Sequence, residues 1–201
     1  MKVVLLVICS YLFGSIPWAL VIGKLFYHKD IREEGSGNLG ATNAGRVLGK
    51  KAGVIVTVLD ALKSFLSMMV AHYIAPEASL LAGLACCIGH CFPLFANFKG
   101  GKAVATTYGF LLGVVVFLNG HWFAQFILPI LCFFVFLYMS KMVSVASILS
   151  IFVAVIAGFF VNTDLKISLA TLLLWLFVTY RHKENINRIK QGKENKITWM
   201  G

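Results

Sequence analysis

Residues 3–26 read VVLLVICSYLFGSIPWALVIGKLF, an apolar run whose one charge is Lys24. An α-helix crosses the hydrocarbon core of a bilayer in about 20 residues, and it satisfies its own N–H and C=O groups where no water is present to do so. The run is long enough for that. Its single leading Lys2 and its lack of a small-residue cleavage site argue for a retained span rather than a removed leader. Pro17 has no N–H and a fixed φ, and is expected to bend the span.

Six further apolar runs follow, at 52–74, 78–98, 103–118, 122–138, 143–161 and 167–180 with its flanks. The whole chain is 59% hydrophobic and 13% charged, with a mean hydropathy of +0.85, which excludes an ordinary soluble domain. The expected fold is an all-α polytopic membrane protein of seven transmembrane helices, forming a single integral membrane domain over 1–201. Asp60 and Lys63 fall inside the second run at i and i+3, on one helix face, where they neutralise each other away from lipid.

The basic residues orient the spans. The connection at 27–51 carries Lys29, Arg32, Arg46, Lys50 and Lys51; later connections on the same side carry Lys99, Lys102 and Lys141, and the tail carries Arg181, Lys183, Arg188, Lys190, Lys193 and Lys196. The opposite side holds only Lys2 and Lys166. Positive loops stay cytoplasmic, so the N-terminus is expected outside and the C-terminus inside. The net charge of +10 follows from this bias and from attraction to anionic lipid headgroups or an anionic substrate. Nucleic acid is excluded as a partner because no soluble basic domain is present to bind it.

Three polar stretches then lie on the cytoplasmic side, near 35–46, 98–103 and 181–188, where they are expected to converge. The first, GSGNLGATNAGR from Gly35 to Arg46, contains four glycines, with Ser36, Asn38, Thr42 and Asn43 as neutral hydrogen-bonding groups and Arg46 as a planar fork of donors. Such a loop reads either as turn chemistry or as an anion site, in which Gly37 and Gly40 let successive N–H groups point inward. The second, Lys99-Gly100-Gly101-Lys102, offers backbone N–H groups and cations at an expected helix start; positive-inside anchoring is the plainer reading of its lysines. The third, Arg181-His182-Lys183-Glu184-Asn185-Ile186-Asn187-Arg188, places His182 with Asn185, and Asn185 with Arg188, on shared helix faces, or is a charged juxtamembrane tail. Ser144 and Ser147 open the sixth span on the same side, as hydroxyl donors or as a cap and a packing residue.

Other features have structural readings. Cys9, Cys86, Cys87, Cys91 and Cys132 lie in apolar runs at spacings that make no disulfide framework, and are expected to be small buried hydrophobes. Cys87, His90 and Cys91 lack a fourth ligand at a recognisable spacing, so no metal is expected and His90 reads as a hydrogen-bonded core histidine. Gly109 and Gly113 form a G-x-x-x-G that predicts close helix packing.

The three polar stretches, with Gly-His-Cys-Phe-Pro at 89–93, Leu-Phe-Gly-Ser-Ile-Pro at 12–17 and Asp-Ala-Leu-Lys at 60–63, resemble the bacterial membrane acyl-phosphate:glycerol-3-phosphate acyltransferase family over nearly the whole chain. The resemblance implies transfer of a fatty acyl group from acyl phosphate to the 1-hydroxyl of glycerol 3-phosphate, giving lysophosphatidic acid and inorganic phosphate. It implies catalytic roles for His182, Asn185 and Ser36, and substrate or phosphate binding by Gly37, Asn38, Gly40, Thr42, Asn43, Arg46, Gly100, Gly101, Lys102 and Ser144. It further implies a bacterial inner-membrane enzyme with no cofactor, whose partners are its two substrates and membrane lipid, and a monomer is expected. Two positions depart from the family pattern: Ala103 and Ser64 stand where glycine is usual.

The residue types fit that chemistry. An acyl phosphate is already activated, so an enzyme has chiefly to position two phosphates and stabilise developing charge. Ser36 has no histidine beside it in sequence and no polar loop contains a cysteine, which disfavours a covalent acyl-enzyme. The base is then His182 or the substrate's own phosphate. The competing class is a transporter for a phosphorylated small molecule, since intramembrane Asp60 and Lys63 also suit a carrier. Short, nearly uncharged outer connections and the lack of an inverted repeat weigh against it.

Overall fold

The computed structural model describes residues 1–197, all-helical with no strand among them, in two compact units, Met1–Gly113 and the chain from Val114 onward. In the first unit, α1 (Lys2–Gly14) and α2 (Trp18–Tyr27) are one apolar stretch bent by 40° at the segment that contains Pro17, as expected of an imide that cannot continue the ladder. A loop leads to the short α3 (Ala41–Val47), then α4 (Lys50–Ile74) and α5 (Ser79–Cys91). α5 stops at Phe92-Pro93, two residues short of a single 3₁₀ turn (Leu94–Ala96), and α6 (Val104–Val114) follows. The third apolar run is therefore less helical than its hydropathy implied, because Pro93 breaks it.

The second unit begins with two π-helical turns, Val115–Asn119 and Phe123–Ile127, about Gly120 at φ +70°. α7 (Leu128–Ser140), α8 (Val143–Val161), α9 (Leu165–Arg181) and α10 (Lys183–Lys190) complete it. α7 and α8 are joined by Lys141 and Met142, with Lys141 in the left-handed region at φ +58°.

Four helical segments, Lys50–Ile74, Pro76–Ala96, Phe123–Ser140 and Val143–Val161, are long and apolar enough to cross a bilayer, and the bent pair makes a fifth when read as one span. Val104–Asn119 and the 17-residue α9 are apolar but shorter.

Within each unit the packing inverts the pattern of a soluble protein. In the first unit helices approach each other at small residues: Gly14 meets the backbone of Cys86, Gly89 meets that of Tyr11, Gly53 meets Gly45, and Gly109 meets Ala61, with no room for a Cβ at any of them. Large apolar side chains face outward, Phe160 at 86% and Tyr73 at 77% exposure among them. In lipid the hydrophobic effect does not hold helices together, so close backbone approach and dispersion have to. The G-x-x-x-G of α6 serves this purpose, with Gly113 set against Met68. Cys86, Cys87 and Cys91 pack as buried small groups, but Cys9 is exposed on α1 and Cys132 is half-buried on α7, which corrects the expectation for those two residues.

Candidate active site

The 35–46 loop is held by its own asparagine. Asn43, on the first turn of α3 and 1% exposed, accepts the Ser36 N–H at 2.8 Å through Oδ1 and donates through Nδ2 to the Ile31 and Glu34 carbonyls at 3.1 and 3.2 Å. Its side chain is spent on the loop, so Asn43 positions its neighbours rather than offering the free hydrogen-bonding group expected from sequence. Gly35 and Gly37 turn the chain at φ +62° and +66°, and a Cβ on Gly35 would run into Asn43 Oδ1. Gly40 caps α3, its carbonyl accepting from the N–H groups of Asn43 and Ala44. Below the loop, Ile31, Leu39, Ala44 and Leu48 bury against Ala19, Leu20 and Val56. The result is a rigid turn presenting Ser36, Thr42 and Arg46 as exposed groups and Asn38 as a half-buried one.

Arg32, in the same loop, is engaged: its guanidinium holds Asp30 by two hydrogen bonds and, with the backbone N–H of Arg32 and with Lys24, keeps that carboxyl far below the usual carboxylate range. Asn43→Ala removes three hydrogen bonds at once and is expected to lower the thermal midpoint of detergent-purified protein by roughly 5–10 °C. A midpoint unchanged by differential scanning fluorimetry contradicts this account of the loop.

The Gly100–Gly101 turn differs from the expectation. Its N–H groups do not point outward at an anion: Gly100 donates to the Cys91 carbonyl at 3.2 Å and Gly101 to the His90 carbonyl at 3.1 Å. Both glycines are buried, and a Cβ on either would overlap His90, at its carbonyl or at its ring Nε2. They are glycines because the turn lies flat on the end of α5. Lys102 follows, half-buried, and Ala103 stands in the left-handed region at φ +57° with its methyl fully buried. That conformation explains why glycine suits position 103. The other departure, Ser64, is wholly buried with Oγ 4.0 Å from Cys87 Sγ.

In the second unit Asn185, expected to be catalytic, Ser144, expected to bind substrate, and Arg188 gather around a residue the sequence reading passed over. Glu194 Oε1 accepts from Ser144 Oγ at 2.8 Å and Asn185 Nδ2 at 2.6 Å, and Oε2 accepts from Arg188 Nε at 2.8 Å. Gly192, at φ +68°, turns the tail back, and the Ile197 N–H donates to the Lys141 carbonyl. The sequence marks only the break, with Gly192 after α10 and Glu194 set between Lys193 and Lys196, and not the return of the tail onto Ser144 and Asn185. Burial raises the Glu194 pKa, but the hydrogen bonds from Asn185, Ser144 and Arg188 and the Arg188 charge more than offset it, leaving a net depression.

A depressed folded-state pKa means that this contribution to stability is complete above the ordinary carboxyl value of about 4.5 and is lost as pH falls through the folded value. Glu194→Gln is therefore expected to lower the thermal midpoint at pH 7, with the gap to wild type closing below about pH 4.5. A gap that stays constant with pH overturns the charge-based account.

His182 ends α9, 3% exposed, with Nδ1 at 2.8 Å from the Val178 carbonyl. A carbonyl only accepts, so Nδ1 carries the proton and, in the neutral ring, Nε2 carries the lone pair. That is the tautomer a general base requires.

Comparisons with known proteins identify the family. The family model for glycerol-3-phosphate acyltransferase matches residues 4–192. The chain is 47% identical over 201 residues to a glycerol-3-phosphate acyltransferase of Bacillus subtilis, covering all of both chains. It is 45% identical to one of Listeria monocytogenes, covering 99% of this chain and 98% of the relative. Two crystal structures of PlsY, an integral membrane glycerol 3-phosphate acyltransferase, superpose on it. The glycerol 3-phosphate form does so with a TM-score of 0.90 at 35% identity, and the lysophosphatidic acid form with 0.88 at 34%. Each match covers 98% of this chain and 96% of the other. With matches of this length and identity, and with all three polar stretches inside the matched region, the chain belongs to the glycerol-3-phosphate acyltransferase family.

Proposed function

We propose that the chain transfers a fatty acyl group from acyl phosphate to the 1-hydroxyl of glycerol 3-phosphate, forming lysophosphatidic acid and inorganic phosphate. The observation that carries this is the whole-chain match to a solved acyltransferase described in glycerol 3-phosphate and lysophosphatidic acid forms, a substrate and a product of that reaction. In the proposed step the hydroxyl oxygen attacks the acyl carbonyl carbon and its proton passes to His182 Nε2. The bond between the carbonyl carbon and the bridging phosphate oxygen breaks, and phosphate leaves with the electron pair.

Arg46 and Lys102 are assigned to the phosphates, Arg46 by the two-pronged geometry of its guanidinium and Lys102 as a point charge. Ser36, Asn38 and Thr42 supply neutral donors on a turn shaped by Gly37 and Gly40 and held by Asn43. Gly100 and Gly101 serve by placing Lys102. Asn185 and Ser144, steadied by Glu194, orient the acceptor hydroxyl and its base. A carrier function is disfavoured, since the family relatives are named for acyl transfer across their full length.

We further infer seven crossings with the N-terminus outside, the polar stretches cytoplasmic, and a monomer in the bacterial inner membrane. The basic residues of the loops and tail support this orientation. The donor is tested with purified protein, palmitoyl phosphate and glycerol 3-phosphate, with palmitoyl-CoA and acyl carrier protein thioesters as controls. Lysophosphatidic acid formed from the acyl phosphate and not from thioesters is the expected result. The reverse preference overturns the reading.

A further inference from the structure

Asp60, Lys63 and His90 form a buried cluster that the reaction as written leaves unused. Asp60 and Lys63 are 2% and 1% exposed in the middle of α4, and His90 is 7% exposed near the end of α5. An ammonium carries three N–H bonds and no acceptor. Here Lys63 Nζ has three acceptors within reach: Asp60 Oδ1 at 2.9 Å, His90 Nδ1 at 2.9 Å and the Ile16 carbonyl at 3.4 Å. That carbonyl lies at the break between α1 and α2, just before Pro17, where the helix ladder is interrupted. One cation thus ties the α1–α2 bend, α4 and α5 together.

The arrangement also fixes the imidazole. Nδ1 has two neighbours, Lys63 Nζ at 2.9 Å, which can only donate, and Asp60 Oδ1 at 3.4 Å, which can only accept; the shorter contact makes Nδ1 the acceptor and puts the ring proton on Nε2. Nε2 is the atom against which Gly101 packs, so closely that a Cβ there would overlap it. The carbonyl of His90 receives the Gly101 N–H, so both the ring and the backbone of this residue bear on the turn that leads to Lys102. A cluster serving only to hide two charges from lipid would need Asp60 and Lys63 alone.

We propose that Asp60, Lys63 and His90 are a positioning network whose output is the placement of the Gly100–Gly101–Lys102 turn, and through it the affinity for a phosphate-bearing substrate. The inference rests on the assignment of Lys102 to a substrate phosphate. None of the three residues touches the reacting atoms; they act through the turn. Misplacing a substrate-holding group by about an ångström costs on the order of a hundredfold.

The test measures kcat and KM for each substrate on detergent-purified variants that give a monodisperse peak. Lys102→Ala is the reference for the phosphate assignment, and is expected to raise KM for one phosphate substrate by about tenfold or more. Asp60→Leu/Lys63→Met removes both buried charges together, so that neither is left unpaired. It is expected to raise the same KM by about tenfold, with kcat within about threefold of wild type. His90→Leu is expected to behave likewise, whereas His90→Gln, whose amide keeps both an oxygen to accept from Lys63 and an N–H on the side facing Gly101, is expected to restore KM to within about threefold. A purely structural cluster would lower the thermal midpoint without moving KM and without distinguishing Gln from Leu.

Wild-type KM in the folded network variants, with KM raised in Lys102→Ala, overturns the network alone. Wild-type KM in Lys102→Ala overturns the phosphate assignment and the network with it. If the double variant does not fold, the His90→Leu and His90→Gln pair, which keeps both charges, decides.

Discussion

His182→Ala is expected to lower kcat by about 10²–10⁴-fold while changing KM for glycerol 3-phosphate much less. The imidazole is not anchored by substrate: its Nδ1 is committed to the Val178 carbonyl one helical turn back, and it is 3% exposed at the end of α9. In the proposed step the ring takes the hydroxyl proton at Nε2, and a general base contributes most in the transition state, when that proton is in flight. Initial rates under saturating acyl phosphate measure the effect. A variant that keeps more than half the wild-type turnover removes His182 as the base and leaves the substrate phosphate to take the proton, which the reactivity of an acyl phosphate permits.

Arg46 and Lys102 are expected to fail differently when exchanged. Arg46→Lys should be nearly as damaging as Arg46→Ala, because an ammonium does not reproduce two parallel N–H bonds to a phosphate. Lys102→Arg should be better tolerated than Lys102→Ala, because a point charge has chiefly to be present. A charge-assisted hydrogen bond contributes about 1.5–3 kcal/mol, so each alanine variant should lose about tenfold to a hundredfold in kcat/KM. Arg46 sits on the last turn of a helix whose base is buried and whose entry is tied by Asn43, so its loss should not disturb folding. Full specific activity in both alanine variants returns the loop to turn chemistry and Lys102 to membrane anchoring.

Much of the fold was legible in the sequence because lipid imposes a simple rule: an apolar run of sufficient length becomes a helix. Residues 143–161 were read to the residue, since α8 is bounded by the Lys141-Met142 turn and by Asn162. The bend near Pro17 and the Asp60–Lys63 pair followed from the missing N–H and from i,i+3 spacing. Hydropathy does not report where a helix stops, however. The 78–98 run is equally apolar on both sides of Pro93, but only the part before it is α-helix.

The site was legible as residue types and much less so as roles. Asn43 looks like Asn38 in the sequence, but in the fold its three hydrogen bonds go to the loop itself. Gly100 and Gly101 look like an anion cradle, but their N–H groups cap the end of α5. Glu194 was missed because a buried carboxylate depends on a tail folding back through Gly192, a long-range event that no local pattern encodes. Ala103 departs from the family pattern, and its φ of +57° gives the reason glycine is usual there.

The central claim is that both anionic substrates are held at once and the acyl group passes directly between them, without an acyl-enzyme. Initial-rate kinetics over a grid of palmitoyl phosphate and glycerol 3-phosphate concentrations test it most directly. Direct transfer predicts intersecting double-reciprocal lines and no phosphate release when glycerol 3-phosphate is omitted. Parallel lines, with a burst of phosphate and a palmitoylated protein in its absence, would contradict it.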